Sequence, residues 1–348
     1  MMILNKMNKT VFIGLILLAL NSCGKDRNKY KIASFPSTPV NLVDINTEYD
    51  DYNSTSGVYS DQFPFCFSSN RNSKGADFDI VYKLMDIEFS QQTGTLSFNE
   101  LNHDHLYDVF ENNININSAL AKINTAHDEL GPYLIFKNKL PGDAYVRYNQ
   151  YVFLYSNNSS GNQDIKFTQN LKNEYYEQPL DVAFLNSEFD DAYPVLNKDH
   201  SEIYFTSNRE NNFDIYRASI DKDRDLVDIL TNIKQVPIQK DAVLSSAFDD
   251  KCPFIVNDFI VFTSNREGGF GGYDLYYARF VNGSWGKPVN FGSKINTAYD
   301  EYRPIVRPEW DFTNDVMIFS SNRPGGKGGY DLYYVGIDKI TPSLYKID

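Results

Sequence analysis

The chain has 348 residues, a formal net charge of −13 and 42% hydrophobic residues, enough apolar material for one domain with a sizeable core. Its acidic balance, without any basic stripe, argues against nucleic acid as a partner. The sequence shows no Gly-x-Ser-x-Gly motif, zinc-ligand spacing or Cys/His pairing, so we predict no cofactor and no metal site.

The first 22 residues are typical of a secretory leader. Lysines at 6 and 9 precede ten apolar residues, too few to span a bilayer. "LNSC" at 20–23 resembles the lipobox of bacterial lipoproteins, which implies cleavage before Cys23 and a diacylglycerol on its sulfur. The alternative is an ordinary signal peptide with an incidental cysteine.

This leader predicts a layout and a location for the mature chain. We divide the sequence into a signal peptide (1–22), a linker (23–30) and one domain (31–348). Gly24 follows the cysteine where an aspartate would suggest inner-membrane retention, so an outer-membrane lipoprotein is expected, facing the periplasm or the cell surface. "GKD" at 24–26 is faintly similar to the export signal of Bacteroidetes surface lipoproteins.

Beyond the linker the chain repeats itself five times. Each repeat has an acidic-pair element ("INTEYDDY" from Ile45, "INTAYDEYRP" from Ile295), an apolar run ending near Ser-Asn-Arg, a turn, and a second run such as "DLYY". Two β-prone runs joined by Gly- and Asn-rich residues form a β-hairpin. The first run is apolar at nearly every position, which predicts a strand covered on both faces.

The predicted outer strands indicate how many strands each blade has and how the ring is closed. Proline cannot donate to a ladder, so the strands that follow Pro39, Pro179, Pro237 and Pro288 should be edge strands. "STPVNLVDINTEYDD" parallels "GKPVNFGSKINTAYDE", and little chain follows the last repeat. We therefore predict an all-β propeller of five four-stranded blades, closed by an N-terminal outer strand near residues 38–43.

At this point the sequence resembles the TolB-type, WD-like β-propeller repeat, over roughly residues 30–340. Because this family includes propellers with six blades, six blades is the alternative to five. The resemblance implies a non-catalytic module that binds envelope proteins or glycans, with specificity carried by the non-repeating segments 85–122 and 137–150.

The repeated polar residues are assigned to the scaffold, because one active site needs one carboxylate pair in a unique environment. We expect the first acid of each pair to bond backbone amides or the arginine of Ser-Asn-Arg, so that Asp300 pairs with Arg323 and Asp249 with Arg266. In the second repeat we expect Asn158 to replace the arginine. The first acids are Asp50, Asp128, Asp190, Asp249 and Asp300. The Ser-Asn-Arg residues are Asn70, Arg71, Asn157, Asn208, Arg209, Asn265, Arg266, Asn322 and Arg323. The aspartates after the turns are Asp79, Asp164, Asp214, Asp274 and Asp331.

Other motifs point to chemistry only weakly. The "GGFGG" and "GGKGG" turns precede a strand rather than a helix, so they are interpreted as hairpin turns and not phosphate loops. "HDH" at 103–105 lacks further metal ligands nearby. The alternative functions are a five-bladed glycoside hydrolase or lyase, with Asp104, Asp108, Glu129 or Asp143 as candidate carboxylates, and a glycan-binding lectin.

Overall fold

The computed structural model describes residues 32–57, 62–101, 116–139, 148–171, 175–176 and 178–340. The leader with Cys23 lies outside these residues, and so do the "HDH" motif and three candidate carboxylates, Asp104, Asp108 and Asp143. Within the described ranges, no helix has the length and apolar character needed to cross a membrane.

Five antiparallel sheets, each with four main strands, form the fold. Strand β1 is Val40–Asn41. Blade 1 contains β2 (Asp51–Ser56), β3 (Gln62–Ser69), β4 (Asp79–Ser90) and β5 (Thr95–Glu100), and helix α1 (Ile116–Ile123) follows it. Blade 2 contains β6 (Glu129–Lys139), β7 (Tyr148–Asn157), β8 (Asp164–Leu171) and β10 (Leu180–Asp181), with the short β9 (Tyr175–Tyr176) also on β8.

Blade 3 contains β11 (Asp191–Leu196), β12 (Glu202–Glu210), β13 (Asn212–Ser219) and, after helix α2 (Leu226–Asn232), β14 (Ile238–Lys240). Blade 4 contains β15 (Asp250–Val256), β16 (Phe259–Ser264), β17 (Asp274–Val281), the short β18 (Ser284–Trp285) and β19 (Val289–Asn290). Blade 5 contains β20 (Glu301–Arg307), β21 (Asp315–Ser321), β22 (Asp331–Ile337) and β1. The predicted five-bladed propeller is confirmed.

The ring is closed by the N-terminal strand, as predicted. Val40 pairs with Tyr334 and Asn41 with Tyr333 in an antiparallel register, so β1 is the outer strand of blade 5. The five inner strands also contact one another in a closed circle (β2, β6, β11, β15, β20). Closure removes the exposed edges that an open array of repeats would present.

The core lies between neighbouring blades. The middle strands are buried at nearly every position; β16 and β21, for example, are buried throughout. This is the condition that their unbroken apolar runs predicted, since each blade is covered on both faces. Cys66 and Cys252 are both buried and are not joined by a disulfide.

Inside four blades, a buried ion pair ties the acidic loop to the middle strand. The acid that pairs with arginine is the second of each pair, not the first: Asp51 with Arg71 and Asp191 with Arg209, both at 2.5 Å, Glu301 with Arg323 at 2.9 Å, and Asp250 with Arg266. The predicted Asp300–Arg323 and Asp249–Arg266 partnerships are therefore wrong. Adjacent residues of a strand point to opposite faces, so only one acid of a pair can reach the arginine.

Blade 2 lacks this arginine, and the register shows where it is lost. Asn157 pairs with Glu129 as Ser69 pairs with Asp51, and the side-chain Oδ1 of Asn158 accepts from the backbone N–H of Asp128 as that of Asn70 does from Asp50. Asn158 is thus equivalent to Asn70, and Ser159 takes the arginine position. The assignment of Asn158 to that position, and of Asn157 to the motif asparagine, is one residue out of register.

The glycine-rich turns are hairpin connections packed against the next blade's loop. A Cβ atom on Gly328 would lie 1.9 Å from the Tyr49 carbonyl oxygen, and one on Gly272 would lie 2.2 Å from Asp300 Oδ1. The carboxylate of Asp331 accepts from the amides of Lys327 and Gly328, which caps the turn. These glycines are required by close approach between blades and not by an anion.

Candidate functional site

One end of the ring collects the acidic loops and the Ser-Asn-Arg turns. In each blade the first residue of the inner strand pairs with a serine or asparagine near the end of the second strand, which in turn pairs with the first aspartate of the third strand. The loop before the inner strand and the turn after the second strand therefore lie at the same end. Loops gathered at one end of a rigid scaffold are the usual place for a functional site.

At this end the first acid of each pair joins its blade to the preceding one. Its carboxylate accepts the backbone N–H of the residue just before the third-strand aspartate of that preceding blade: Phe78 to Asp128, Gln163 to Asp190, Phe213 to Asp249, Tyr273 to Asp300 and Tyr330 to Asp50, at 2.7–3.1 Å. Of the two roles expected for these acids, the structure shows the bond to backbone amides. Each bond also fixes the side chain of its donor residue near the propeller axis.

The donors and the second residues of the inner strands create an aromatic surface around the axis, which we call the axial mouth. It consists of Tyr52, Phe78, Phe213, Lys251, Tyr273, Tyr302 and Tyr330, all half-buried. Tyr52 lies 4.7 Å from Phe78 and 5.8 Å from Tyr330, and Tyr302 lies 5.5 Å from Tyr273, measured between ring centroids. The contacts run without a break from blade 1 through blade 5 to blade 4.

Polar groups are interleaved with these rings. The Tyr273 hydroxyl donates to Asp249 Oδ2 at 2.6 Å, and the Tyr330 hydroxyl donates to Asp300 Oδ2 at 2.8 Å. Burial is the main cause that raises the pKa of both tyrosines above its ordinary value, so both hydroxyls stay protonated donors. The mouth therefore offers flat apolar faces beside carboxylate and hydroxyl groups.

Lys251 marks the boundary between the aromatic side of the mouth and its opposite side. Its ammonium lies 3.7 Å from the centroid of Phe213 and 5.4 Å from that of Tyr273. Burial lowers the pKa of Lys251. Across the axis, blades 2 and 3 present Leu130 and Ala192 at the positions of Tyr52 and Tyr302. The mouth is thus asymmetric, although all five blades are built from the same repeat.

The floor of the mouth is closed by the next residue of each inner strand. Tyr193 lies over Gly131, where a Cβ atom would come within 2.4 Å of the tyrosine ring, and Cys252 is hydrogen-bonded with Tyr193 and Tyr302. Arg303 is fully buried below them. In the described part of the chain, no cluster of three or more metal-ligating side chains occurs.

Sequence reasoning treated these aromatic residues as strand core and missed their convergence. A signal was present in the repeat itself, because the residue directly before the third-strand aspartate is aromatic in four of the five copies: Phe78, Phe213, Tyr273 and Tyr330, with Gln163 in the fifth. Glu129, the one candidate carboxylate among the described residues, is fully buried inside blade 2 and bonded to Thr125 and Asn157, away from the mouth.

No protein-family model and no curated protein matches the chain. Among solved structures, it is similar to an α-L-arabinofuranosidase from Podospora anserina in complex with cellotriose (11% identity, TM-score 0.49, covering 90% of this chain and 98% of that one). Similar too are an endo-arabinase from Bacteroides thetaiotaomicron (11%, 0.48, 89% and 99%) and the catalytic domain of an α-L-arabinofuranosidase from Coprinopsis cinerea (11%, 0.43, 88% and 97%).

These comparisons correct three predictions. The similar structures are glycoside hydrolases and not TolB-type proteins, so the predicted TolB-type relationship is wrong. The interaction-module function and the prediction that the protein is not an enzyme, which rested on that resemblance, are wrong with it. At 8–12% identity, the likeness to these structures extends to the fold alone.

Proposed function

We propose that the axial mouth binds a carbohydrate. A sugar ring has an apolar C–H face and polar hydroxyl edges, so it fits a site in which aromatic faces alternate with hydrogen-bonding groups. The observation that carries the proposal is the juxtaposition of Tyr273 and Tyr330 with Asp249 and Asp300, where each carboxylate lies at a tyrosine hydroxyl. A glycan partner also agrees with the oligosaccharides named for the similar structures.

Calorimetric titration with a panel of oligosaccharides, including cellotriose and xylotriose, tests the proposal. We expect Tyr273→Ala and Tyr330→Ala each to weaken binding about tenfold, since an aromatic contact contributes roughly 0.5–1.5 kcal/mol beyond its buried area. Trp310 is the matched control, because it is 76% exposed and follows the far end of β20, so Trp310→Ala should bind normally. Binding by no member of the panel, or equal losses in all three variants, would contradict the proposal.

Hydrolysis of the bound glycan is the second candidate function. Glycosidases use two carboxyl groups flanking the scissile bond, and Asp249 and Asp300 bring two carboxylates to the mouth from neighbouring blades. The same mixtures are therefore followed for released reducing ends. Asp249→Asn and Asp300→Asn should stop the release while Trp310→Ala leaves it unchanged, and release that survives in both asparagine variants would exclude this pair.

The lipid anchor at Cys23 is also part of the proposal, supported by the leader sequence alone. It would hold the propeller at the outer membrane, close to envelope glycans. Cys23→Ala should leave the protein unprocessed or released from the membrane fraction, and Ser22→Ala, which keeps a small residue before the cysteine, is the matched control. A Cys23→Ala variant that fractionates and migrates like the wild type would refute the anchor.

A further inference from the structure

The inner strand of blade 1 is polar where the other inner strands are mainly apolar. It reads Asn-Ser-Thr-Ser at 53–56. The equivalent segments, aligned by the bulge that each inner strand carries, are 131–134, 193–196, 252–255 and 303–306. All four have proline at the second position, followed by apolar or aromatic residues. Nothing in the propeller fold requires a polar strand here.

The polar atoms of this strand are buried and have no hydrogen-bond partner. Asn53, Ser54, Thr55 and Ser56 are 0–6% exposed. Both amide atoms of Asn53 and the hydroxyls of the next three residues are unpaired, as is the nearby Ser68 hydroxyl. Buried polar groups in native proteins are satisfied by protein, water or ligand, so a run of unpaired ones on a single strand indicates a bound species.

A buried cation without a counter-ion lies in the adjacent blade. Arg303 is 0% exposed; its Nη1 and Nη2 donate to the carbonyl oxygens of Pro253 and Pro132 at 3.2 and 3.3 Å, while its Nε has no partner. No carboxylate among the described residues forms an ion pair with it. The other buried arginine of β20 differs, because Arg307 has Glu309 at 3.3 Å.

The unpaired side-chain amide of Asn53 and the guanidinium of Arg303 come from equivalent positions on neighbouring inner strands. Asn53 and Arg303 occupy the equivalent bulge positions of β2 and β20, with φ of 59° and 48°, and these inner strands are in contact. The backbone N–H of Asn53 donates to the Ser320 hydroxyl at 3.2 Å, which holds this residue against blade 5. We call residues 53–56 with Arg303 the axial pocket.

The neighbours of Arg303 do not supply the missing negative charge. Burial raises the pKa of the Cys252 thiol to about 11, so it is protonated at neutral pH. Burial likewise raises the pKa of Tyr193 and Tyr302 well above its usual value. Water could satisfy the hydrogen bonds of the pocket but not the charge, and a buried charge is costly unless it is paired.

We propose that the axial pocket binds one small monovalent anion, held by the Arg303 guanidinium, the Asn53 amide and the adjacent hydroxyls. All of these groups can donate a hydrogen bond, which is what an anion requires. Arg303 supplies a single positive charge, so one monovalent anion would neutralise it. The anion would link blades 1 and 5, the two blades at the point where the ring closes.

Equilibrium dialysis with radioactive chloride, together with thermal unfolding, tests the proposal. The protein is first freed of halide in sodium gluconate and then titrated with sodium chloride at constant ionic strength. We expect one chloride per chain and a melting temperature that rises by about 5 °C when chloride exceeds its Kd about 100-fold. Absence of chloride uptake, or a melting temperature indifferent to chloride, would overturn it.

Asn53→Asp is the decisive variant, because aspartate accepts the same left-handed backbone and brings its own negative charge to Arg303. This variant should bind less than a tenth of the chloride that the wild type binds, and its melting temperature should be the same in sodium gluconate and in sodium chloride. The control is Lys198→Gln, on the surface beside Asp258, which should behave like the wild type. A full equivalent of chloride retained by Asn53→Asp would place the anion elsewhere and refute the assignment.

Discussion

A chain that begins at Ile45 is expected to lose most of its free energy of unfolding. The deletion removes β1 and with it the pairs Val40–Tyr334 and Asn41–Tyr333, so that β22 becomes an exposed edge. It also removes Phe35, which is 2% exposed and stacked on Phe312 with ring centroids 4.2 Å apart. The hydrogen bonds from the backbone N–H of Tyr330 to Asp50 and from that of Asn53 to Ser320 remain, but the first and last blades lose the strand pairing that closes the ring.

The expected size of this loss follows from the side chains removed. Truncation of a buried phenylalanine costs about 3–5 kcal/mol and of a buried leucine about 2–5 kcal/mol, and both Phe35 and Leu42 are buried. Together they approach the roughly 5–15 kcal/mol that stabilises a typical domain. Urea denaturation followed by circular dichroism measures the change.

The control for this truncation is a chain that begins at Ile32, which keeps every contact of β1. It should unfold at the same urea concentration as the untruncated protein, whereas the chain from Ile45 should be largely unfolded without urea. Equal midpoints for the two truncated chains would show that β1 does not close the ring.

The fold could be predicted because the same sequence pattern occurs in five repeats. Five acidic loops, five apolar runs and an N-terminal segment resembling the lead-in of the last repeat are each weak signals, but they agree. Closure by β1 followed from one such parallel, between "STPVNLVDINTEYDD" and "GKPVNFGSKINTAYDE".

The partners within the repeat could not be predicted from spacing. In "DD" or "DE" the two acids are adjacent, and only the register of the inner strand decides that Glu301 faces Arg323 while Asp300 faces the preceding blade. "SNNSS" in blade 2 allows two alignments for the same reason, and the pairing of Asn157 with Glu129 selects one. The axial mouth was missed because Tyr273 and Tyr330 look like ordinary strand aromatics in the sequence. Only the hydrogen bonds from their backbone N–H groups to Asp300 and Asp50 place them near the axis.

The missing arginine of blade 2 leads to an expected pH effect. Glu129 is fully buried, and this burial raises its pKa from 4.5 to about 7 against the opposing effect of its bonds to Thr125 and Asn157. Because the folded state holds this proton more tightly than the unfolded state, the contribution of Glu129 to stability is fully present below about pH 4.5 and is lost as pH rises through about 7. At pH 8 the loss amounts to at most about 3 kcal/mol.

Glu129→Gln should therefore stabilise the protein at pH 8, by up to about 3 kcal/mol, and change little at pH 5, since glutamine is neutral at both. The matched variant is Asp191→Asn in blade 3, the same neutralisation at the equivalent position, where Arg209 lies 2.5 Å away. It should destabilise at both pH values by about 3 kcal/mol, because it leaves a mostly buried arginine without its partner.

Urea denaturation of both variants and the wild type at pH 5 and pH 8 separates the two effects, since Glu301, whose pKa burial also raises, is common to all three proteins. A Glu129→Gln variant that is weakened at pH 8 as much as Asp191→Asn would mean that Glu129 is ionised and paired in the folded protein. Opposite signs for the two substitutions would instead show that one repeated carboxylate has different roles in neighbouring blades. The role is then set by whether a serine (Ser159) or an arginine (Arg209) lies two residues after the residue that pairs with the carboxylate.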